Sequence, residues 1–353
     1  MDRHTYFAYG SNMCMEQMAS RCPGASDPRP AVLADHDWLI NERGVATLEP
    51  FIGSTVHGVV WTLTEYDLEN LDSAEGVPDR YRRDRLTVQT AHGPATPWVY
   101  IDHRVQPGAP REGYLDRIIN AALHHGLPHQ WIEFLHRWDP AHWPMSRTRS
   151  DDTGPQTLSE LLADPTVTET SRLASRFGFM AIHGGGLEQM TDVIAERAAE
   201  QTGASVYVLR HPPDYPHHLS SARYLPEQSA RLTEFLDHVD VVVSLHGYGR
   251  VDRSTQILAG GRNRELAGLL AQCIEVPGYQ VVTDLNAIPL ELRGLHPDNP
   301  VNRARGGGAQ LELSSRVRGT SPRSQLPGRD GLTPATAALV AGLVAAAHSW
   351  SRQ

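Results

Sequence analysis

Two rhythms of apolar residues divide this chain. In the first 140 residues, short runs at 5–9, 58–63, 86–88 and 98–101 are bounded by turns rich in proline and glycine, which predicts strands. Helical spacing appears at 111–126, where Leu115, Ile118, Ile119 and Leu123 share a face, and again at 130–138. This half reads as a mostly β, α+β domain. Further along the rhythm changes. Strand-like runs at 177–182, 205–209, 239–245, 280–285 and 310–313 alternate with helical stretches. One such stretch carries Leu187, Met190, Val193, Ile194 and Ala198 and stops at Gly203; two more cover 262–273 and 334–349. That alternation predicts an α/β domain with a mostly parallel sheet and helices on its faces. The segment between the halves is polar and irregular. The predicted organisation is a first domain over 1–140, a linker over 141–160 and a second domain over 161–353.

Length supports two cores, since a chain of 353 residues exceeds what one core usually holds. Apolar residues make up 40% and charged residues 21%, which fits a globular chain. The net charge of −9 argues against binding nucleic acid through phosphates. Three scattered cysteines do not make a disulfide framework and point to a reducing compartment. No basic segment followed by a long apolar run opens the chain, and the apolar stretch 337–347 is too short to span a bilayer. The expectation is a soluble cytoplasmic protein without membrane or nucleic-acid partners. The oligomeric state stays open.

Chemistry concentrates in the second half. A strand runs into His183, then Gly184, Gly185 and Gly186, then Glu188, and a second strand closes on His246. Ligands gather beyond the carboxyl ends of parallel strands, so both imidazoles are expected at one sheet edge. The glycines let the chain turn and bring Glu188 back from the first turn of a helix. Two imidazoles and a carboxylate hold Zn2+ and leave one position for water. The plainer alternative is a glycine loop capping a helix, with Glu188 favouring its N-terminus. A phosphate loop fits poorly, because an acid faces the anion and no lysine follows the glycines. Over about 165–350 this half resembles the poly-γ-glutamate hydrolase family, zinc enzymes related to the zinc carboxypeptidases. The resemblance rests on His183, Glu188 and His246, and on the blocks 244–247, 299–303 and 310–314. It implies Glu312 as the base for the attacking water. Arg264 and Arg303 are candidate carboxylate clamps, and Asn263-Arg264 resembles the carboxypeptidase Asn-Arg pair. His217 and His218 precede a further similar segment, 219–221, with no role assigned.

The first half opens with Tyr6-Phe7-Ala8-Tyr9-Gly10-Ser11-Asn12, a strand ending in a turn whose N–H groups can gather round a carboxylate. Downstream come Leu71-Asp72-Ser73-Ala74-Glu75-Gly76 and Tyr81. Together these resemble the γ-glutamylcyclotransferase-like family, including the γ-glutamylamine cyclotransferases, over about 4–140. The resemblance implies a mixed β-barrel with helices. In such an enzyme Glu75 moves the proton as a γ-glutamyl amine attacks its own γ-carbonyl to give 5-oxoproline. Tyr9, Gly10, Ser11 and Asn12 hold the γ-glutamyl head, and Tyr81 lines the pocket. Both halves then address the amide on a glutamate side chain, one by zinc hydrolysis and one by cyclisation. Two other readings stay open: a zinc amidohydrolase or carboxypeptidase for another small amide with a noncatalytic first domain, and a γ-glutamyl-binding protein without turnover.

Overall fold

The computed structural model describes residues 3–142, 154–214 and 217–352. Two compact units, Met1–Pro144 and Met145–Gln353, each fold around their own sheet. Of the expected linker, 143–153 lie outside the described residues.

The first unit contains β1 (Arg3–Ala8), α1 (Met15–Arg21), β2 (Ser26–Ile40), β3 (Ala46–Thr64), α2 (Glu65–Glu75), β4 (Tyr81–Arg85), β5 (Val88–Thr90), β6 (Gly93–Ala95), β7 (Trp98–Asp102), α3 (Tyr114–His124) and α4 (His129–His136). Its curled, mixed sheet has the order β4-β7-β1-β3-β2-β5-β6. Beta1 runs antiparallel to β3 and parallel to β7, so its end, carrying Tyr9 and Gly10, opens beside both neighbours. The apolar pattern predicts no strand where β2 lies. Pro28 and Pro30 mask its alternation, and register shifts between Ser26 and Arg29 and between Ala34 and His36 break the period. Aromatic packing of Trp38 against Trp131, Phe134 and Trp138 ties β2 to α4.

Helix α2 delivers Glu75 and is fixed at both ends. At its start the Thr64 hydroxyl accepts from the Asp67 N–H, and the Asp67 carboxylate accepts from the Thr64 N–H and hydroxyl and from the Gly24 N–H. At its end Gly76 turns left-handed at φ 72° immediately after Glu75.

The second unit contains α5 (Leu158–Leu162), β8 (Thr168–Arg172), β9 (Phe177–Gly185), α6 (Thr191–Thr202), β10 (Ser205–His211), α7 (Ala230–His238), β11 (Val241–Tyr248), β12 (Gln256–Gly260), α8 (Arg264–Cys273), β13 (Gln280–Val282), β14 (Gly308–Ser314) and α9 (Pro334–Trp350). The sheet order is β13-β12-β14-β11-β9-β10-β8. It is mixed: four of its six pairings are parallel, and β12–β14 and β10–β8 are antiparallel. One face packs on α6, α8 and α9, the other on α5 and α7. Helix α9 is alanine-rich, and among the described residues no helix is long and apolar enough to cross a membrane.

Alternation along the strands sets the polarity of the second face. Val243 and Leu245 of β11 and Leu311 and Leu313 of β14 enter the first core. Ser244, His246, Gln310 and Glu312 therefore project to the opposite side.

Replacing Asp67 by alanine removes three acceptor contacts from a buried position and is expected to destabilise the protein by about 1–3 kcal/mol, read as an earlier urea midpoint by tryptophan fluorescence.

Candidate functional site

In the second unit the strands run further than the apolar pattern predicts. His183 lies inside β9 and His246 inside β11, rather than one residue beyond them. Between Val208 and Arg210 the β9–β10 register slips, with Ala181 and Gly184 opposite, so β9 spends one extra residue beside His183. Such a bulge re-aims a strand side chain. Gly185 then takes a left-handed φ of 68°, and at Gly186 a Cβ would lie 2.2 Å from the Pro212 carbonyl. Glu188 comes from this turn and not from a first helical turn, since α6 begins only at Thr191. Its N–H donates to the His183 carbonyl at 2.8 Å, folding the carboxylate back over the strand.

The three predicted ligands meet. His183 Nδ1 stands 2.8 Å from Glu188 Oε1, and His246 Nδ1 3.4 Å from Glu188 Oε2. One ligand atom from each residue lies within 4.8 Å of the others. His183 Nε2 faces the Leu219 carbonyl at 3.0 Å, and a carbonyl only accepts. Nε2 therefore carries a proton, and in the neutral imidazole Nδ1 is left as the lone pair facing the carboxylate. His246 likewise turns Nδ1 to Glu188, while its Nε2 lies 3.0 Å from the Ser244 hydroxyl, which can donate or accept. Each Nδ1 facing this buried anion either carries a proton or leaves its lone pair for a cation shared with the carboxylate. The donor set, its spacing and the outer hydrogen bonds suit a divalent ion such as Zn2+.

Burial pushes the Glu188 carboxyl up, but the His183 and His246 imidazoles more than offset this and hold it well below the usual range. Burial draws the His246 imidazole down, and Glu188 outweighs that, so its net shift is upward.

Glu312 sits directly across the parallel ladder from His246. Burial drives its carboxyl upward, His246 opposes this and Glu188 adds to it, leaving a value of about 7. Gln310 donates to Glu312 at 2.8 Å, and Asn299 donates to Gln310 at 2.8 Å. The block at 299–303 thereby gains a physical role, because Asn299 orients Glu312 through Gln310.

Three expected substrate ligands are not brought to this centre. Asn263 caps α8 through the Leu266 N–H and donates to the Gly306 carbonyl. Arg264 donates to the carbonyls of Gly261, Ala259 and Thr283. Arg303 pairs with Glu227 at 3.0 Å and Asp298 at 3.4 Å. Their polar atoms are committed to helix capping, loop closure and surface ion pairs.

Around His183 the structure adds residues without an assigned role in the sequence: His218 at 5.1 Å, Tyr224 at 5.5 Å and His211 at 6.2 Å between ring centroids. Arg318 is buried, donates to the carbonyls of Gln189 and Leu313, and crosses Gly247, where a Cβ would lie 2.7 Å from its guanidinium carbon. Of these, the sequence singles out only His218, beside the similar segment 219–221; Tyr224, His211 and Arg318 are brought in by the folded chain.

In the first unit the turn after β1 also meets its predicted acid. Asn12 Nδ2 donates to Glu75 Oε1 at 2.9 Å and to the Tyr6 hydroxyl at 2.9 Å. Arg21, which no motif singles out, bonds the same Glu75 oxygen at 2.9 Å. Tyr9 donates its hydroxyl to the Tyr100 carbonyl. Tyr9, Gly10, Ser11, Asn12, Glu75 and Tyr81 line one small cavity of about 40 Å3. Burial pushes the phenols of Tyr6, Tyr9, Tyr81 and Tyr114 up, so they stay protonated at neutral pH.

Comparison with known proteins follows the same division. Residues 156–323 match the poly-gamma-glutamate hydrolase family model, and 55–135 match the AIG2-like family model. Gamma-glutamylcyclotransferase of Mus musculus is 31% identical over 147 residues, covering 38% of this chain and 78% of that protein. The protein YndL of Bacillus subtilis (strain 168) is 28% identical over 141 residues, 39% of this chain; the match spans about half, 53%, of its length. A bacteriophage poly-gamma-glutamate hydrolase structure superposes with a TM-score of 0.45 at 23% identity, covering 53% of this chain and 90% of that one. The chain belongs to the γ-glutamylcyclotransferase family, and its second unit resembles the poly-γ-glutamate hydrolases.

Proposed function

We propose that this chain breaks γ-glutamyl amide bonds in two ways, by metal-dependent hydrolysis in the second unit and by cyclisation to 5-oxoproline in the first. The observation that carries the hydrolytic half is the convergence of two imidazole Nδ1 atoms on the buried Glu188 carboxylate. His183, Glu188 and His246 would hold Zn2+. When bound, the ion supplies Lewis-acid polarisation to the amide carbonyl and to the attacking water. Glu312, kept in place by Gln310, accepts the water proton and returns it to the leaving nitrogen.

For cyclisation, Glu75 lies at the junction of the Asn12 turn and α2. The turn holds the γ-glutamyl head while Glu75 takes a proton from the α-amine and passes it to the leaving amine. Curling one substrate into reach makes the step intramolecular. Glu75 beside the first unit's cavity and Glu312 beside His246 favour turnover over mere binding, because an anionic ligand gains nothing from a nearby carboxylate.

Metal loading is tested directly. After chelation, zinc titration is expected to restore one ion per chain and raise the thermal midpoint, and His246→Ala is expected to abolish both responses. Mass spectrometry of products from γ-linked oligoglutamates tests the chemistry. Glu312→Gln should slow glutamate release by roughly 10²–10⁴-fold, and Glu75→Gln should slow 5-oxoproline release by a similar factor. Release of neither product by the zinc-loaded protein would defeat the proposal.

The pH dependence has a defined sign. Protonated Glu312 cannot accept a proton, so hydrolysis falls on the acid side. A dication beside the carboxylate favours its charged form, which moves this limb below the value of about 7 that the protein alone sets. A pH–rate profile whose acid limb survives unchanged in Glu312→Gln would remove Glu312 from the role.

A further inference from the structure

Outside the small cavity of the first unit lies a larger one of about 370 Å3, and the two share Ser11, Glu75, Tyr81 and Tyr114. Its lining carries five guanidinium groups, from Arg21, Arg43, Arg80, Arg111 and Arg117. Besides Glu75, Glu112 is the one acid among them. In a chain of net charge −9 this wall has the opposite sign.

The arginines differ in how they are used. Arg21 is paired with Glu75 at 2.9 Å and Arg43 with Asp102 at 2.7 Å. Arg111 donates through Nε to the Arg43 carbonyl, and Arg117 donates to the Gln17 side chain. Among the described residues, Arg80, Arg111 and Arg117 have no carboxylate partner, and all three are exposed. Solvated arginines are ordinary one at a time. Here three lie on one cavity wall, with Glu75 at its inner end.

We infer that this outer cavity receives the leaving group of the cyclisation and selects one rich in carboxylates, so that the substrate is an acidic γ-glutamyl peptide, in its simplest form γ-glutamyl-glutamate. The inference rests on the cyclotransferase reading of Glu75. With the γ-glutamyl head in the inner cavity, the scissile amide lies at the junction and the leaving side extends among the arginines. A glutamyl leaving group presents two carboxylates to planar forks that bind them in bidentate fashion. A cationic amine on the same path meets like charge and is disfavoured. The step is balanced within one molecule. The α-amine nitrogen bonds to the γ-carbonyl carbon, the amide C–N bond breaks, and the proton lost by the attacking nitrogen ends on the leaving nitrogen. The products are 5-oxoproline and free glutamate or a shorter peptide, and no water is consumed.

The test compares γ-L-glutamyl-L-glutamate, γ-L-glutamyl-L-glutamine and γ-L-glutamylethylamide, whose leaving groups carry two, one and no carboxylates. With the full chain, kcat/KM for 5-oxoproline release is expected to fall about tenfold at each step, mainly through KM, and the differences should shrink as salt is raised. In the triple variant Arg80→Gln, Arg111→Gln, Arg117→Gln the ladder should flatten to within about threefold, since all three side chains are exposed and the charge contrast is what is removed. Equal kcat/KM for the three compounds in the unaltered protein would overturn the inference and leave the cyclotransferase reading standing. No 5-oxoproline from any of them would overturn that reading, and the inference with it.

Discussion

An ionised carboxylate enclosed by protein is costly unless positive charge or hydrogen bonds answer it. Glu188 is such a group, and much of the second unit is arranged around it. The extra residue in β9 sets the direction of His183, and the glycine turn folds Glu188 back over its own strand. The Leu219 carbonyl and Ser244 hydroxyl fix the far nitrogens of both imidazoles. Glu188 also accepts from the Gly247 N–H at 2.8 Å, which ties the turn after β9 to β11. Together these contacts fix how the three side chains are oriented towards one another.

The legible and illegible parts of this molecule separate by the range of the interactions involved. His183, the glycines and Glu188 are neighbours in sequence, so their spacing carries the turn that joins them. Glu312 is legible only through the resemblance of the block 310–314; that it lies across the ladder from His246 is set by strand pairing, which the sequence does not carry. Asn263, Arg264 and Arg303 show the limit. An arginine beside an asparagine looks the same in sequence whether its guanidinium meets a substrate or three main-chain carbonyls, and only tertiary structure decides. Arg21 was missed for the converse reason, because 54 residues separate it from the acid that it bonds. In the fold, two β-rich patterns were readable where alternation was regular, whereas the prolines and register shifts of β2 hid one of the longest strands. The second sheet is less uniformly parallel than βα alternation suggests, since its antiparallel pairings at β12 and β8 join strands that the period alone cannot orient.

The two units place glutamates in contrasting surroundings. Glu75 ends a helix, reaches a cavity and is held by a guanidinium and an amide. Glu312 is buried within a sheet, held by an amide donor and lifted by its surroundings. One is tethered by a cation beside a cavity, the other is enclosed by the sheet, so the two acids meet solvent and charge on very different terms.

The absence of a side chain at Gly247 lets the Arg318 guanidinium cross beneath β11. A permanent cation is thereby fixed close to both Glu188 and Glu312. Two acids near a dication would together grip it strongly; a built-in guanidinium subtracts from that pull. A larger residue at position 247 would push against that guanidinium and so change the charge facing Glu188 and Glu312 without altering His183, Glu188 or His246 themselves.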